Sequence, residues 1–98
     1  MTSALFFVDM QNDFIEGGSL AVTGGEKAAL RLAEQLSINE HSEAFAFPDI
    51  IVTSQDWHIN PGNHWSETPD YVDTWPVHCA AETEGAAIRK ELADAIAQ

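Results

Sequence analysis

The chain has 98 residues, with four Lys and Arg against sixteen Asp and Glu, so its formal net charge is −12. This charge argues against nucleic acid and anionic membrane surfaces as partners, because both repel an acidic protein. The hydrophobic fraction of 45% is too high for a disordered acidic tail, and one domain is the most that this length accommodates.

We expect a soluble, cytoplasmic protein. The apolar run over residues 1–8 is too short for a signal sequence, and no basic residue precedes it. No stretch approaches the roughly 20 apolar residues that a membrane-spanning helix needs. The single cysteine, Cys79, cannot form a disulfide within the chain, so nothing requires an oxidising compartment.

The first half of the chain predicts a strand, a long loop and a helix. Ala4–Val8 is a continuous apolar run, typical of a central parallel strand that is buried on both faces. Residues 9–25 predict the loop. Glu26–Ser37 predicts the helix, because one stripe of apolar residues recurs at helical spacing. The stripe consists of Ala29, Leu32, Ala33 and Leu36.

The second half predicts a strand over Asp49–Ser54, a long loop over residues 55–83 and a helix over Glu84–Ala97. One face of this helix would present Ile88, Leu92, Ala95 and Ile96. The alternation of strands and helices is typical of an α/β fold with a parallel sheet. Since such sheets usually have about five or six strands, the sequence looks like the first half of a domain.

The second loop concentrates side chains that bind metals. In an extended segment Asp56 and His58 point to the same side, and the turn predicted at residues 60–63 directs the chain back toward His64. His78 follows later in the loop. One carboxylate and three imidazoles suit Zn²⁺, Fe²⁺ or Mn²⁺. The alternative is a hydrated loop whose histidines form only hydrogen bonds, since a helical His-x-x-x-His spacing is absent.

Asp9 follows the first strand directly. In open α/β sheets the ligand crevice lies at the carboxyl ends of the strands, so Asp9 is a candidate general base. The more common role of an aspartate after a strand is to cap a turn with its own side chain. Both interpretations stay open on the sequence alone.

Aromatic residues are concentrated near these candidate residues. Trp57, Trp65, Tyr71 and Trp75 lie in the second loop, and Phe14 follows Asp9. Aromatic walls around polar ligands suit a flat ring substrate, whereas the alternative for any single tryptophan is core packing.

Cys79 is a candidate nucleophile because it follows His78. However, adjacent residues of an extended chain point apart, and a histidine that binds a metal cannot also serve as the base for the thiol. A small buried thiol is therefore the favoured interpretation. His41 lies in a polar stretch and is expected to be solvated.

Taken together, these segments resemble the nicotinamidase/pyrazinamidase family of isochorismatase-like hydrolases. The matching stretches, which cover most of residues 4–79, are FFVDMQNDFIEGGSLAVTGGE, VTSQDWHINPGNHWSETPDY and TWPVHC. The resemblance implies a three-layer α/β fold around a parallel sheet. Residues 1–98 would be the N-terminal part of one such domain, about its first half.

The resemblance implies an enzyme of NAD salvage that hydrolyses nicotinamide, and analogues such as pyrazinamide, to the acid and ammonia. Asp9 would take the proton of a catalytic thiol and later protonate the leaving ammonia. The implied cofactor is one divalent metal ion, foremost zinc, with iron or manganese as alternatives. The implied ligands are Asp56, His58, His64 and His78, and the implied substrate-pocket residues are Phe14 and Trp75.

The chain also departs from the family. The family's catalytic Lys and nucleophilic Cys belong to strands beyond the helix predicted at Glu84–Ala97, and neither Lys27 nor Lys90 lies in the matching context. Cys79 corresponds instead to the cysteine after the last metal-binding histidine. Residues 80–85 are more acidic than the family's loop.

Three interpretations follow from these departures. The first is the N-terminal part of a nicotinamidase, which would associate with the missing C-terminal part or form a homo-oligomer. The second is a metal-binding fragment without catalytic activity. The third is a truncated chain that folds poorly. We favour the first, because thiol chemistry requires an activated cysteine that the sequence does not supply.

Overall fold

The computed structural model describes residues 2–38 and 48–97, so the prediction for His41 lies outside the described residues. The strands and helices, in chain order, are β1 (Ala4–Val8), α1 (Gly25–Ile38), β2 (Ile50–Ser54) and α2 (Lys90–Ile96). This order confirms the predicted alternation of strands and helices. Over these residues the structure has no helix long and apolar enough to cross a membrane.

Within the described residues, β1 and β2 form a two-stranded parallel sheet. Phe6 pairs with Val52 and Phe7 with Thr53, so apolar and β-branched residues face each other across the strands. Parallel pairing also places the carboxyl ends of both strands at the same edge of the sheet. The two functional loops predicted from the sequence therefore begin side by side.

Both helices pack against one face of this sheet. The fully packed core there consists of Phe7, Ala33, Leu36, Leu92 and Ala95. Around this core lie partly buried residues from the same elements, among them Leu5, Leu32, Ile51 and Ile88. The predicted stripes are thus confirmed as core surfaces, except that Ile88 packs against the core from outside α2.

The predicted helix over Glu84–Ala97 is wrong in its first part, since α2 begins only at Lys90. The residues before it form a single 3-10 turn followed by an extended stretch. In that stretch Ile88 forms an antiparallel bridge with Gln11. Backbone pairing with the segment after β1 therefore replaces helical hydrogen bonds, and this long-range contact is invisible to apolar periodicity.

The opposite face of the sheet has no cover in the described part of the chain. Phe6 and Val8 are 64% and 63% exposed, and Ile50 and Val52 beside them are exposed as well. The prediction that Ala4–Val8 is buried on both faces is therefore wrong for this chain. Parallel sheets are normally covered on both faces, so the described residues form two of the three expected layers. We call Phe6, Val8, Ile50 and Val52 the open face.

Candidate metal centre

Three histidine side chains meet in the loop that follows β2. The nitrogen donors of His58, His64 and His78 all lie within 4.8 Å of one another. The carboxylate of Asp56 adjoins them, with its Oδ2 atom 3.6 Å from Nε2 of His58 and 3.8 Å from Nε2 of His78. The structure thus brings together the four side chains proposed as metal ligands. We call them the His/Asp cluster.

Backbone pairing joins the separate parts of this loop. His58 forms a parallel bridge with Ala80, two residues after the last histidine of the cluster. Trp65, which follows His64, forms a second parallel bridge with Trp75. These two bridges bring side chains from distant parts of the sequence to one place without an α-helix or a long strand.

The nitrogen atoms of the cluster have the environment of metal donors. Nε2 of His58 and Nε2 of His64 are buried and have no hydrogen-bond partner. Leaving such a group unsatisfied costs about 1–3 kcal/mol, which a bound cation would remove. Nδ1 of His78 lies 2.7 Å from the carbonyl oxygen of Pro76 and donates its proton there, so Nε2 is the ring nitrogen that faces Asp56. Three imidazoles and a carboxylate fit a divalent metal ion.

Asp9 lies at the carboxyl end of β1, where its N–H group donates a 3.0 Å hydrogen bond to the carbonyl of Ser54. Its backbone adopts the left-handed conformation, with φ of 59°. Burial raises the pKa of Asp9, and the negative charge of Asp56 raises this pKa further. A carboxyl group with a raised pKa is suited to accept a proton and return it during one reaction cycle.

Aromatic rings lie against all three histidines of the cluster, and Trp65 lies edge-on to His58 with the ring centroids 5.8 Å apart. The ring centroid of Phe14 is 5.8 Å from that of His78, and the ring centroid of Trp75 is 5.2 Å from that of His64. Both aromatic rings are partly exposed, so each presents apolar surface beside the cluster. Trp57, in contrast, is 46% exposed. Phe14 and Trp75, the substrate-pocket residues that the resemblance implies, therefore lie beside the cluster as candidates for contact with a flat substrate.

Cys79 has the environment of an inert thiol. Its side chain is fully buried. Burial raises the pKa of the Cys79 thiol to about 12, with further contributions from the carboxylates of Asp13, Asp56 and Asp9. Because the thiolate is the nucleophile, this environment opposes a catalytic role for Cys79.

We expect folded Cys79 to react with a thiol reagent such as dithionitrobenzoate far more slowly than the unfolded chain does. A rise in its pKa from 9.0 to about 12 lowers the thiolate fraction roughly 1,000-fold at pH 8, and burial slows access further. Stopped-flow absorbance with and without urea measures both rates, and a Cys79→Ser chain gives the background. Equal rates in the two states would contradict the buried position of Cys79.

Two polar residues that adjoin the cluster were not predicted from the sequence. Gln11 is fully buried and forms hydrogen bonds with the backbone of Asp56. Asp13 accepts a hydrogen bond from the N–H group of Cys79. The signal that could have indicated them is the polar run Gln-Asn-Asp over residues 11–13, which closely follows the apolar strand. Polar side chains that are buried near a sheet need hydrogen-bond partners, so such a run indicates contacts with other segments.

Comparisons with known proteins identify close similarity over most of the chain, although no protein-family model matches it. The chain is 47% identical over 89 residues to the nicotinamidase/pyrazinamidase of Mycobacterium tuberculosis, which covers 91% of this chain and 45% of that protein. It superposes on the yeast nicotinamidase bound to the inhibitor nicotinaldehyde with a TM-score of 0.73 and 27% identity, over 96% of this chain and 51% of that one.

A further solved structure, the pyrazinamidase of Pyrococcus horikoshii in complex with zinc, is 38% identical, with a TM-score of 0.59. This match covers 87% of the present chain and 43% of that one. The chain therefore spans about half the length of its relatives, and it corresponds to their N-terminal portion. The resemblance inferred from the sequence is confirmed, and with it the isochorismatase-like α/β fold.

Proposed function

We propose that this chain, which corresponds to the N-terminal portion of the nicotinamidase/pyrazinamidase family, supplies the metal centre of an amidohydrolase that converts nicotinamide to nicotinate and ammonia. The observation that carries this proposal is the convergence of Asp56, His58, His64 and His78. These residues lie in stretches of the sequence that resemble the family, and they lie beside two aromatic rings. Related aromatic amides such as pyrazinamide would enter the same site.

Zinc is the metal we propose for the His/Asp cluster, with iron and manganese as the alternatives. Nitrogen-rich sites with one carboxylate are typical of zinc, and the Pyrococcus horikoshii relative was solved with zinc. When bound, the ion would supply a positive charge that attracts the ring nitrogen of the substrate, directly or through a water molecule.

Phe14 and Trp75 would bind the pyridine ring of the substrate. Both present an aromatic surface beside a histidine of the cluster, and a flat heteroaromatic ring packs well on such a surface. The yeast relative was solved with the inhibitor nicotinaldehyde and a relative from L. infantum was solved with nicotinate, and both ligands are flat rings of the same kind. We further propose a cytoplasmic role in NAD salvage.

Asp9 would act first as the general base and then as the general acid of the reaction. We propose that it takes the proton of a catalytic thiol as the sulfur bonds to the amide carbon, and that it gives this proton to the amide nitrogen as the carbon–nitrogen bond breaks, so that the nitrogen leaves as ammonia. Water would then hydrolyse the thioester to release nicotinate. Because Cys79 is buried with a strongly raised pKa, the thiol and the catalytic lysine would come from the C-terminal portion that the relatives possess.

The open face is the surface we propose for contact with that C-terminal portion. It consists of exposed apolar residues on parallel strands, which are normally covered on both faces. The relatives have about twice the length of this chain, so they possess enough polypeptide to supply the third layer. A second copy of the chain is the competing occupant, and it would appear as a concentration-dependent dimer.

The test measures ammonia release from nicotinamide by the zinc-loaded 98-residue chain, alone and mixed with the C-terminal portion of the Mycobacterium tuberculosis relative. We expect no turnover from the chain alone and turnover from the mixture, lost again with Asp9→Asn. Intact mass under denaturing conditions verifies which polypeptides each sample contains. Turnover by the verified chain alone would overturn the proposal and make Cys79 a nucleophile again.

The second candidate function is metal binding without catalysis. It is favoured by a specific contrast in the chain, where the donors of the His/Asp cluster are complete while the only thiol is inert. Stoichiometric zinc binding, together with no ammonia release from any mixture, would select this candidate.

A further inference from the structure

We infer that Gln11 and Asp13 are positioning residues that fix two metal-ligand segments through their backbones. Both belong to the segment that follows β1, and neither side chain is a metal ligand. This inference rests on the proposed metal centre, since it assigns the residues that hold that centre in shape. We call the pair the Gln11/Asp13 clamp.

The side-chain amide of Gln11 forms hydrogen bonds with both the N–H group and the carbonyl of Asp56. Its Oε1 atom accepts a 2.9 Å hydrogen bond from the N–H group of Asp56. Its Nε2 atom donates a 2.7 Å hydrogen bond to the carbonyl of Asp56 and a 2.8 Å hydrogen bond to the carbonyl of Ala86. The side chain is fully buried, so water cannot replace these bonds. Gln11 therefore fixes the Cα position from which the Asp56 carboxylate extends.

Asp13 holds the residue that follows His78. Its Oδ2 atom accepts a 2.7 Å hydrogen bond from the N–H group of Cys79. Cys79 has a φ of 49°, a left-handed conformation that is unfavourable for a residue other than glycine. A charge-assisted hydrogen bond of this length is strong enough to offset much of that cost. The bond therefore stabilises the turn that directs His78 into the cluster.

A glycine on the neighbouring segment makes room for Asp13. A Cβ atom at Gly85 would overlap the carboxyl group of Asp13, so only glycine fits there without displacement of that carboxylate. The segment that carries Gly85 also provides the carbonyl of Ala86, to which Gln11 donates. Two consecutive residues, Gly85 and Ala86, therefore contact the two side chains of the clamp.

The two clamp residues act on two ligands that meet in the cluster. Oδ2 of Asp56 and Nε2 of His78 lie 3.8 Å apart although the residues come from distant parts of the loop. Gln11 and Asp13 are two residues apart, so one short segment sets the spacing between both ligand backbones. A residue outside the coordination sphere that orients a metal ligand typically contributes about 10- to 100-fold to the metal affinity.

The test compares zinc affinity and the visible spectrum of the Co²⁺-loaded chain among matched variants. Asp13→Ala removes the acceptor for Cys79, whereas Asp13→Asn keeps an amide oxygen in its place. Gln11→Leu removes all bonds to Asp56. We expect about 10- to 100-fold weaker zinc binding and an altered cobalt spectrum for Asp13→Ala and Gln11→Leu, with values close to the original chain for Asp13→Asn.

The control is Gln55→Ala. Gln55 donates a 3.0 Å hydrogen bond from its side chain to the same carbonyl of Ala86, and among the described residues that side chain forms no hydrogen bond with the backbone of a proposed ligand. We expect this variant to keep the zinc affinity of the original chain. This result would show that losing a hydrogen bond to Ala86 does not by itself weaken zinc binding.

Unchanged affinity and cobalt spectrum in both Asp13→Ala and Gln11→Leu would overturn the clamp while leaving the metal centre intact. Equal losses in Asp13→Ala and Asp13→Asn would also overturn it, because an amide oxygen should rescue the bond to Cys79. Failure of the original chain to bind zinc or cobalt would instead overturn the proposed metal centre itself. Urea unfolding of each variant, followed by circular dichroism, verifies that the affinities belong to folded chains.

Discussion

Replacing His58 with alanine is expected to weaken zinc binding by more than about 100-fold, beyond the range that residues outside the coordination sphere typically contribute. The His58 ring lies at the centre of the cluster, with its centroid 4.6 Å from that of His64 and 5.0 Å from that of His78. Its removal leaves two imidazoles and one carboxylate, which are too few protein donors for a closed four-coordinate site. Competition with a chromogenic chelator measures the affinity.

The matched control for this variant is His41→Ala. His41 is the one histidine of the sequence that we do not assign to the cluster, so its removal changes the histidine count equally. We expect His41→Ala to bind zinc as the original chain does. Retention of full affinity in His58→Ala, or equal losses in the two variants, would refute the ligand assignment.

Leu92→Ala is expected to lower the free energy of unfolding by about 2–5 kcal/mol, the usual cost of truncating a fully buried leucine. Leu92 is completely buried in the core, where α2 meets α1 and the sheet. Because small domains are stable by only about 5–15 kcal/mol, this loss is a large fraction of the total. Urea denaturation followed by far-ultraviolet circular dichroism gives the change in midpoint and slope.

Leu30→Ala provides the comparison on the neighbouring helix. Leu30 is 38% exposed on α1, so we expect its truncation to cost less than about 1 kcal/mol. A Leu92→Ala chain that unfolds at the same urea concentration as Leu30→Ala would show that the described core does not stabilise the chain.

The positions of β1, α1 and β2 were predictable because each has a strong local pattern. The apolar run of β1 and the β-branched run of β2 predict strands without further information, and the stripe of α1 predicts its buried face. The gathering of Asp56 with the three histidines was also predictable, since the residues share one loop and have metal-binding chemistry.

Features set by contacts distant in sequence were not predictable. The late start of α2 depends on the pairing of Ile88 with Gln11, and the exposed side of β1 depends on which layers cover the sheet. The buried positions of Gln11 and Asp13 depend on backbone groups supplied by two later loops. Every residue except proline has a backbone N–H group, and every residue has a carbonyl group. The residue types of the later loops therefore do not reveal which backbone groups will bind Gln11 and Asp13.

The left-handed backbone conformations lower the stability of the fold, but they also fix the geometry of the loops that form the cluster. Non-glycine residues with this conformation in residues 2–38 and 48–97 are Asp9, Asn60, Tyr71, Cys79 and Glu82. Most of them lie within the loops that form the cluster, and conformations of this kind cost about 1–3 kcal/mol each. Glycine at Cys79 or Glu82 would relieve that cost, yet it would also free the backbone on either side of the ligand segment. Selection for heat resistance would therefore favour substitutions that selection for a rigid metal centre removes.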